Sequence, residues 1–200
     1  LKNLPTFSLR VGNDDIIPTS SARNIGAIFD RTCSMSEHIA MISRAAWFQL
    51  NQIGRIRYYL DEESTKILVH SFVSSRLDSF NSLLHGVPKY EIDKLQRIQN
   101  AAAKVILGLK KSDHVTPALV NLHWLPIAFR IDFKILVLVY KSLHGLAPAY
   151  LRDLIKIREP GRSLRSSKQI SLTVPRKNNV TCGERALSLV QWSLSLESSA

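Results

Sequence analysis

Between Asp61 and Leu109 the chain carries two helical patterns back to back, and no other stretch restricts the fold as strongly. Ile92, Leu95, Ile98, Ala102, Val105, Ile106 and Leu109 recur at steps of three and four, which places them on one face of a helix. Arg97, Lys104 and Lys111 follow one another at seven-residue steps on a different face, so this helix has an apolar side and a cationic side. Upstream, residues 62–84 form a second candidate helix with Asp61 as its N-cap. Leu84-His85-Gly86-Val87-Pro88 is its stop signal, because Gly86 accepts the left-handed conformation beyond a helix end and Pro88 cannot continue the helix. Burying one Leu, Ile or Phe is worth about 1.5–3 kcal/mol, so the two apolar faces require a packing surface from the rest of the chain.

The overall charge narrows the class of partner. In 200 residues, 27 Lys and Arg stand against 16 Asp and Glu, a formal charge of +11. That balance favours an anionic partner, nucleic acid or an acidic membrane surface, over a merely soluble basic protein. A hydrophobic content of 45% is enough for a packed core. Cys33 and Cys182 have no metal or redox spacing and are expected as free thiols of a reducing compartment, cytoplasm or nucleus. The six histidines stand at no zinc-ligand spacing, and no metal or other cofactor is expected. The longest apolar run, residues 135–140, is far below the roughly 20 residues of a membrane span, so insertion into a bilayer is not expected. The chain opens on Leu1 without an initiator Met and is expected to be part of something longer.

In order along the chain, residues 1–30 read as β structure. Thr6-Phe7-Ser8-Leu9-Arg10-Val11 alternates at period two, Gly12-Asn13-Asp14-Asp15 is turn chemistry, and Ile16-Ile17 begins a return strand. Arg23-Asn24-Ile25-Gly26-Ala27-Ile28-Phe29-Asp30 is a second strand candidate, in which Gly26 signals a close backbone approach. Ser34-Met35-Ser36-Glu37 has the spacing of a capping box. It opens a helix lined by Ile39, Ile42, Ala46 and Ile53, with Trp47, Phe48 and Leu50 beside them and Gly54 at its end. After a polar linker, Thr116-Pro117 starts a short helix to Leu122. A longer helix is expected over residues 127–144; its β-rich centre, Ile135-Leu136-Val137-Leu138-Val139, leaves a buried strand as the alternative, and helix is preferred because Arg130, Lys134 and Lys141 then share a stripe. Pro148 heads a last short helix through Ile155. From Lys156 onward basic residues mix with Gly, Ser and Pro, as in a loosely structured arm. The expected fold is therefore mainly α, a helical bundle (residues 32–155) with a small N-terminal β-hairpin (1–31) and a basic C-terminal arm (156–200).

Little in the sequence reads as catalytic. Asp14-Asp15 is an adjacent acid pair, but its place in a turn argues against a two-metal centre. There is no nucleophile elbow and no Gly-rich phosphate loop. Asp132 is expected on the apolar side of its helix, tied to His123, Trp124 or an Arg. His70, His85 and His144 read as helix-surface or cap residues, and Trp47 and Trp124 as core. Tyr58 and Tyr59, between Arg55, Arg57 and Lys66, are candidates either for stacking on bases or for core packing. The remaining signal is distributed over Arg97/Lys104/Lys111, Arg130/Lys134/Lys141, and an arm from Arg158 to Lys177 that includes Arg162 and Arg165. Phosphate contacts need that density of cations and little else.

Several longer strings resemble a known family. Arg23-Asn24-Ile25-Gly26-Ala27-Ile28-Phe29-Asp30 is similar to the segment that closes the palm of non-LTR retrotransposon reverse transcriptases, LINE elements of the jockey kind. Val73-Ser74-Ser75-Arg76-Leu77-Asp78-Ser79-Phe80-Asn81-Ser82-Leu83-Leu84-His85-Gly86, Leu95-Gln96-Arg97-Ile98-Gln99-Asn100-Ala101-Ala102-Ala103 and Leu122-His123-Trp124-Leu125-Pro126 resemble their thumb region. Phe133-Lys134-Ile135 and the string from Tyr140 to Leu151 continue the likeness. The resemblance implies the end of a palm over 1–31 and a thumb and connector over 32–155. It also implies an RNA/DNA template–primer as partner, with palm and fingers supplied by a preceding part of the parent polymerase. That family's catalytic aspartates, which use divalent metal, lie upstream of the palm-closing segment, so this chain is not expected to polymerise by itself. Gly26 would lie beside the primer, and Arg55, Arg57, Arg97, Lys104, Lys111, Arg130, Lys134, Lys141, Arg162 and Arg165 are the candidate nucleic-acid contacts. The tail departs from the pattern, with Gln191-Trp192-Ser193-Leu194 where relatives carry Leu-Trp-Asn-Ser. Two other readings are a helical module that binds protein through its apolar faces and a decayed relic of such an element.

Overall fold

The computed structural model describes residues 8–17, 19–153 and 155. The expected basic arm, with Arg162 and Arg165, and Cys182 lie outside the described residues. The chain opens with an antiparallel hairpin, β1 (Leu9–Val11) and β2 (Asp14–Ile16), in which Leu9 faces Ile16 across a Gly12-Asn13 turn. Asp14 and Asp15 therefore sit on a strand and not in the turn. The expected single strand over 23–30 is instead a second hairpin, β3 (Ser21–Asn24) and β4 (Ala27–Asp30). It folds back at Ile25 and Gly26, whose φ angles are +50° and +96°. A β-branched residue at positive φ is uncommon, so alternation alone gave no sign of a turn there.

Asp30 organises the passage from β4 into the first helix. Its carboxylate accepts from the backbone N–H groups of Thr32 (3.0 Å) and Ser34 (2.8 Å) and from both of their hydroxyls. Burial pushes this carboxyl up, but the four hydrogen bonds together hold it below the ordinary carboxylate value. Ser34 gives its N–H and hydroxyl proton to Asp30 and its Oγ accepts from Ser36 N–H at 3.3 Å in place of Glu37 N–H, so the expected capping box does not form. Helix α1 (Ser36–Ile56) starts after Met35, which is left-handed at φ +61° and makes no side-chain cap. The helix also runs through Gly54 before a 3₁₀ turn at Arg57–Tyr59. Glycine in a helix interior is unfavourable by about 1 kcal/mol, an amount that burial of the neighbouring Leu50 and Ile53 offsets.

Asp61 does cap helix α2 (Glu62–Val69), accepting from Ser64 N–H at 3.1 Å. The expected continuous helix to Leu84 breaks into pieces. After α2 come a π-turn at His70–Ser74, helix α3 (Ser75–Asp78), left-handed Phe80 and a 3₁₀ turn at Asn81–Leu84. Ser71 and Ser75 hydroxyls donate back to the carbonyls of Ile67 and Ser71, a competition that bends helices. Gly86 is left-handed as expected, at φ +72°.

Helix α4 (Lys89–Leu107) is the centre of the bundle, with α1, α2, α5 (Thr116–Asn121) and α6 (Ile127–Leu143) packed against it. Its Leu95, Ile98, Ala102, Ala103 and Ile106 are buried in one continuous core with Ile39, Ile42, Ala46, Leu50 and Ile53 of α1 and Ile127, Ile131 and Ile135 of α6. Gly108 ends α4 in the left-handed conformation, so Leu109 and Lys111 lie beyond the helix. The β-rich centre of α6 is helical, as preferred. A short α7 (Ala149–Arg152) follows. Trp124 joins the core, whereas Trp47 is 39% exposed and Phe48 60% exposed, because Trp47 lies on the flank of the Ile39, Ile42 and Ala46 face of α1 and Phe48 on the side opposite it. No described helix is long and apolar enough to cross a membrane.

Candidate nucleic-acid interface

The C-terminal ends of α1 and α4 are pinned together by one side chain. Arg57 Nε donates to the Val105 carbonyl (2.8 Å), Nη2 to the Ile106 carbonyl (2.9 Å) and Nη1 to the Leu60 carbonyl (2.7 Å). The last four carbonyls of a helix have no intrahelical partner, and Arg57 covers two of them while its charge complements the negative end of the helix dipole. Its donors are thus spent on backbone, which sequence reading, placing it among the phosphate contacts, did not foresee. Arg55, at the last turn of α1, and Tyr58 and Tyr59, 91% and 83% exposed, stand at the same end of the bundle. The two tyrosine rings meet edge to face at 5.5 Å.

Lys104, Lys110 and Lys111 join that end from α4. Lys104 Nζ donates to the Lys111 carbonyl at 2.7 Å, folding the linker back over the helix terminus; Lys111 is not helical, so the expected helical stripe ends at Lys104. Seven residues before Lys104, Arg97 is exposed on the same face of α4. Sequence reading missed two further members of that face. Tyr90, 62% exposed, precedes Arg97 by seven positions, and Lys94 stands between them with its Nζ 5.8 Å from the Tyr90 ring and 2.9 Å from Glu91 Oε2. The helical spacing of Tyr90, Lys94, Arg97 and Lys104 was the signal that would have found them.

The α6 cations are arranged differently. Arg130 is turned inward: Nε donates to the Leu125 carbonyl (3.1 Å), Nη1 to both Asp78 oxygens (3.0 and 2.9 Å), and the guanidinium lies 5.7 Å from the Trp124 ring centre. Lys134 and Lys141 are exposed. Arg130 also acts on His70, whose ring stands edge to face with Trp124. Burial lowers the His70 pKa first and the nearby Arg130 charge lowers it further. Asp132 is half-buried, as its helical position required, but its partner is His85, Nδ1 to Oδ1 3.5 Å, and not His123, Trp124 or an Arg. His144 caps α6, its Nδ1 2.9 Å from the Tyr140 carbonyl.

Gly26 lies apart from these cations, in the β3–β4 turn. A Cβ built on it would meet Phe80 Cε2 at 3.4 Å, so the expected close approach is to an aromatic side chain of the same protein. The structure therefore brings together Arg55, Lys104 and Lys111 at one end of the bundle, with Arg97 further along α4, and separates them from Gly26 and from the Arg130/Lys134 group. Among the described residues no three His, Cys, Asp or Glu side chains stand close enough to hold a metal. No protein-family model, no curated protein and no solved structure matches the chain.

Proposed function

We propose that the chain is the palm-end, thumb and connector of a non-LTR retrotransposon reverse transcriptase and that it grips an RNA/DNA template–primer through backbone phosphates. The observation that carries the reading is the bundle end where Arg55, Lys104 and Lys111 stand with exposed Tyr58 and Tyr59, with Arg97 extending it along α4. A heteroduplex is held by its A-form shape and backbone, for which a ridge of cations on a rigid helix is suited. The family strings, from the palm-closing segment to residues 140–151, supply the polymerase context. In this reading the aspartates that bind metal belong to the preceding part of the polymerase, and a primer-extension assay with this chain alone gives no incorporation.

A salt titration of affinity for an RNA–DNA hybrid tests the grip. Four phosphate contacts, from Arg55, Arg97, Lys104 and Lys111, predict that affinity falls about 50- to 150-fold between 50 and 200 mM salt. Arg97→Glu with Lys111→Glu, two exposed positions, should weaken binding more than tenfold and flatten the slope; unchanged affinity refutes the reading. A second reading, a helical module that binds protein, is favoured by Phe129, Phe133 and Tyr140. They lie on one face of α6 and are 58%, 57% and 56% exposed. Association through that apolar face would be nearly indifferent to salt.

A further inference from the structure

Three segments converge on a cleft of about 320 Å³ at the start of α6. Asp78 and Asn81 come from the end of α3 and the turn after it, His123 from the α5–α6 linker, and Arg130, Phe133 and Lys134 from the first two turns of α6. The volume is at the lower end of small-molecule sites, right for one nucleotide and too small for a duplex. Its charges are set in advance. Both Asp78 oxygens are engaged by Arg130 Nη1, and the Leu125 carbonyl holds Nε, so the guanidinium is fixed while Nη2 makes no hydrogen bond among the described residues. Lys134 beside it is exposed and has no described partner. His123 reaches the cleft from a left-handed backbone, φ +53°, a conformation that non-glycine residues keep only where the surroundings impose it. Phe133 presents a ring that is 57% exposed, and Asn81, only 5% exposed, carries a side-chain oxygen without a donor.

We infer that this cleft receives one unpaired nucleotide of a nucleic-acid strand. Arg130 Nη2 and Lys134 take its phosphate, as a preorganised guanidinium and a mobile ammonium are suited to do. The base lies on Phe133, a contact that tolerates any base. A turn of the Asn81 carboxamide gives its unpaired oxygen an N–H of the base to accept from. The inference rests on the proposed template–primer reading and adds to it that the single strand beyond the duplex has its own site.

The test compares, on the full chain, a blunt RNA–DNA hybrid, the same hybrid with a three-nucleotide overhang, and the overhang strand alone. The overhang should tighten binding about 5- to 10-fold. Phe133→Ala and Lys134→Ala should each erase most of that gain, leaving blunt-hybrid affinity and the melting temperature in place. Phe129→Ala, on the same face of α6 but outside the cleft, should keep it. A blunt hybrid that binds with no gain from the overhang overturns the cleft and spares the duplex grip. A gain that survives both cleft substitutions, or that Phe129→Ala also removes, does the same. Binding of the single strand with no response to the duplex refutes the grip and retains the cleft, and no binding of any probe overturns both.

Discussion

Replacing Arg57 with Ala removes three hydrogen bonds at once and leaves the Val105 and Ile106 carbonyls at the end of α4 without their partner. The neighbouring Lys104 carbonyl is unaffected, since Leu109 N–H donates to it at 2.9 Å. Each charge-assisted bond is worth roughly 1.5–3 kcal/mol when buried. Arg57 is half-exposed, and water can reach part of the vacated site, so the summed loss is set at about 2–4 kcal/mol, including a few tenths from the helix dipole. Against a typical stability of about 5–15 kcal/mol that is a large fraction. At roughly 2–4 °C per kcal/mol for a domain of this size, the melting temperature should fall by about 5–15 °C. Urea unfolding followed by far-UV circular dichroism measures the free-energy loss, and a thermal melt the temperature shift. Arg57→Lys should recover less than half, because one ammonium on a flexible stem cannot span two carbonyls and the Leu60 oxygen in one geometry. Hybrid affinity of the folded Arg57→Ala protein, measured well below its melting point, should change less than threefold, since these donors face backbone. A stability loss under about 0.5 kcal/mol would refute the capping account. A tenfold loss of affinity in a fully folded variant would return Arg57 to the phosphate contacts.

Three other outcomes follow from the packing. His38 is 1% exposed, accepts from Ile28 N–H at 3.4 Å through Nδ1 and leaves Nε2 without a partner, and burial lowers its pKa. Its contribution is therefore present above the unfolded value near 6.5 and is lost as pH falls toward the lower folded value; thermal melts from pH 7.5 to 5 should show stability falling, less steeply in His38→Gln. Gln99 Nε2 donates to the Leu125 carbonyl at 2.8 Å and Gln96 Oε1 accepts from Ile127 N–H at 2.8 Å, together fixing the start of α6 to α4. Gln99→Leu should lower stability by about 0.5–1.5 kcal/mol in chemical unfolding, the net worth of one hydrogen bond, because Arg130 Nε still donates to the Leu125 carbonyl. Gly26→Ala should lower it by about 1 kcal/mol through its φ of +96°, with little from sterics because the nearest atom stands at 3.4 Å, whereas Gly54→Ala, at a helical position with open space around it, should raise stability slightly.

The helices themselves were legible in the sequence because their information is local. Three-and-four spacing fixed the buried face of α4 from Leu95 to Ile106, Asp61 marked the start of α2 and Gly86 the end of the 3₁₀ turn before α4 by their own backbone chemistry, and Pro117 and Pro126 marked the starts of α5 and α6. Composition gave the positive charge, and the seven-residue steps gave the cationic side of α4. Long-range pairing was not legible. Arg57 and Arg130 have the same chemistry as Arg55 and Arg97, and only the meeting of α1 with α4, and of α3 with α6, turns the first two toward carbonyls and a carboxylate. Ser34 is a cap by spacing but belongs to Asp30 in space. Trp47 reads as core by type, yet it falls on the flank of the buried line of α1 and is 39% exposed. A side chain's propensity is set by its own atoms and its neighbours along the chain, whereas its partner is set by which surfaces meet when the elements pack, and that is decided by the sum of apolar burial over the whole bundle.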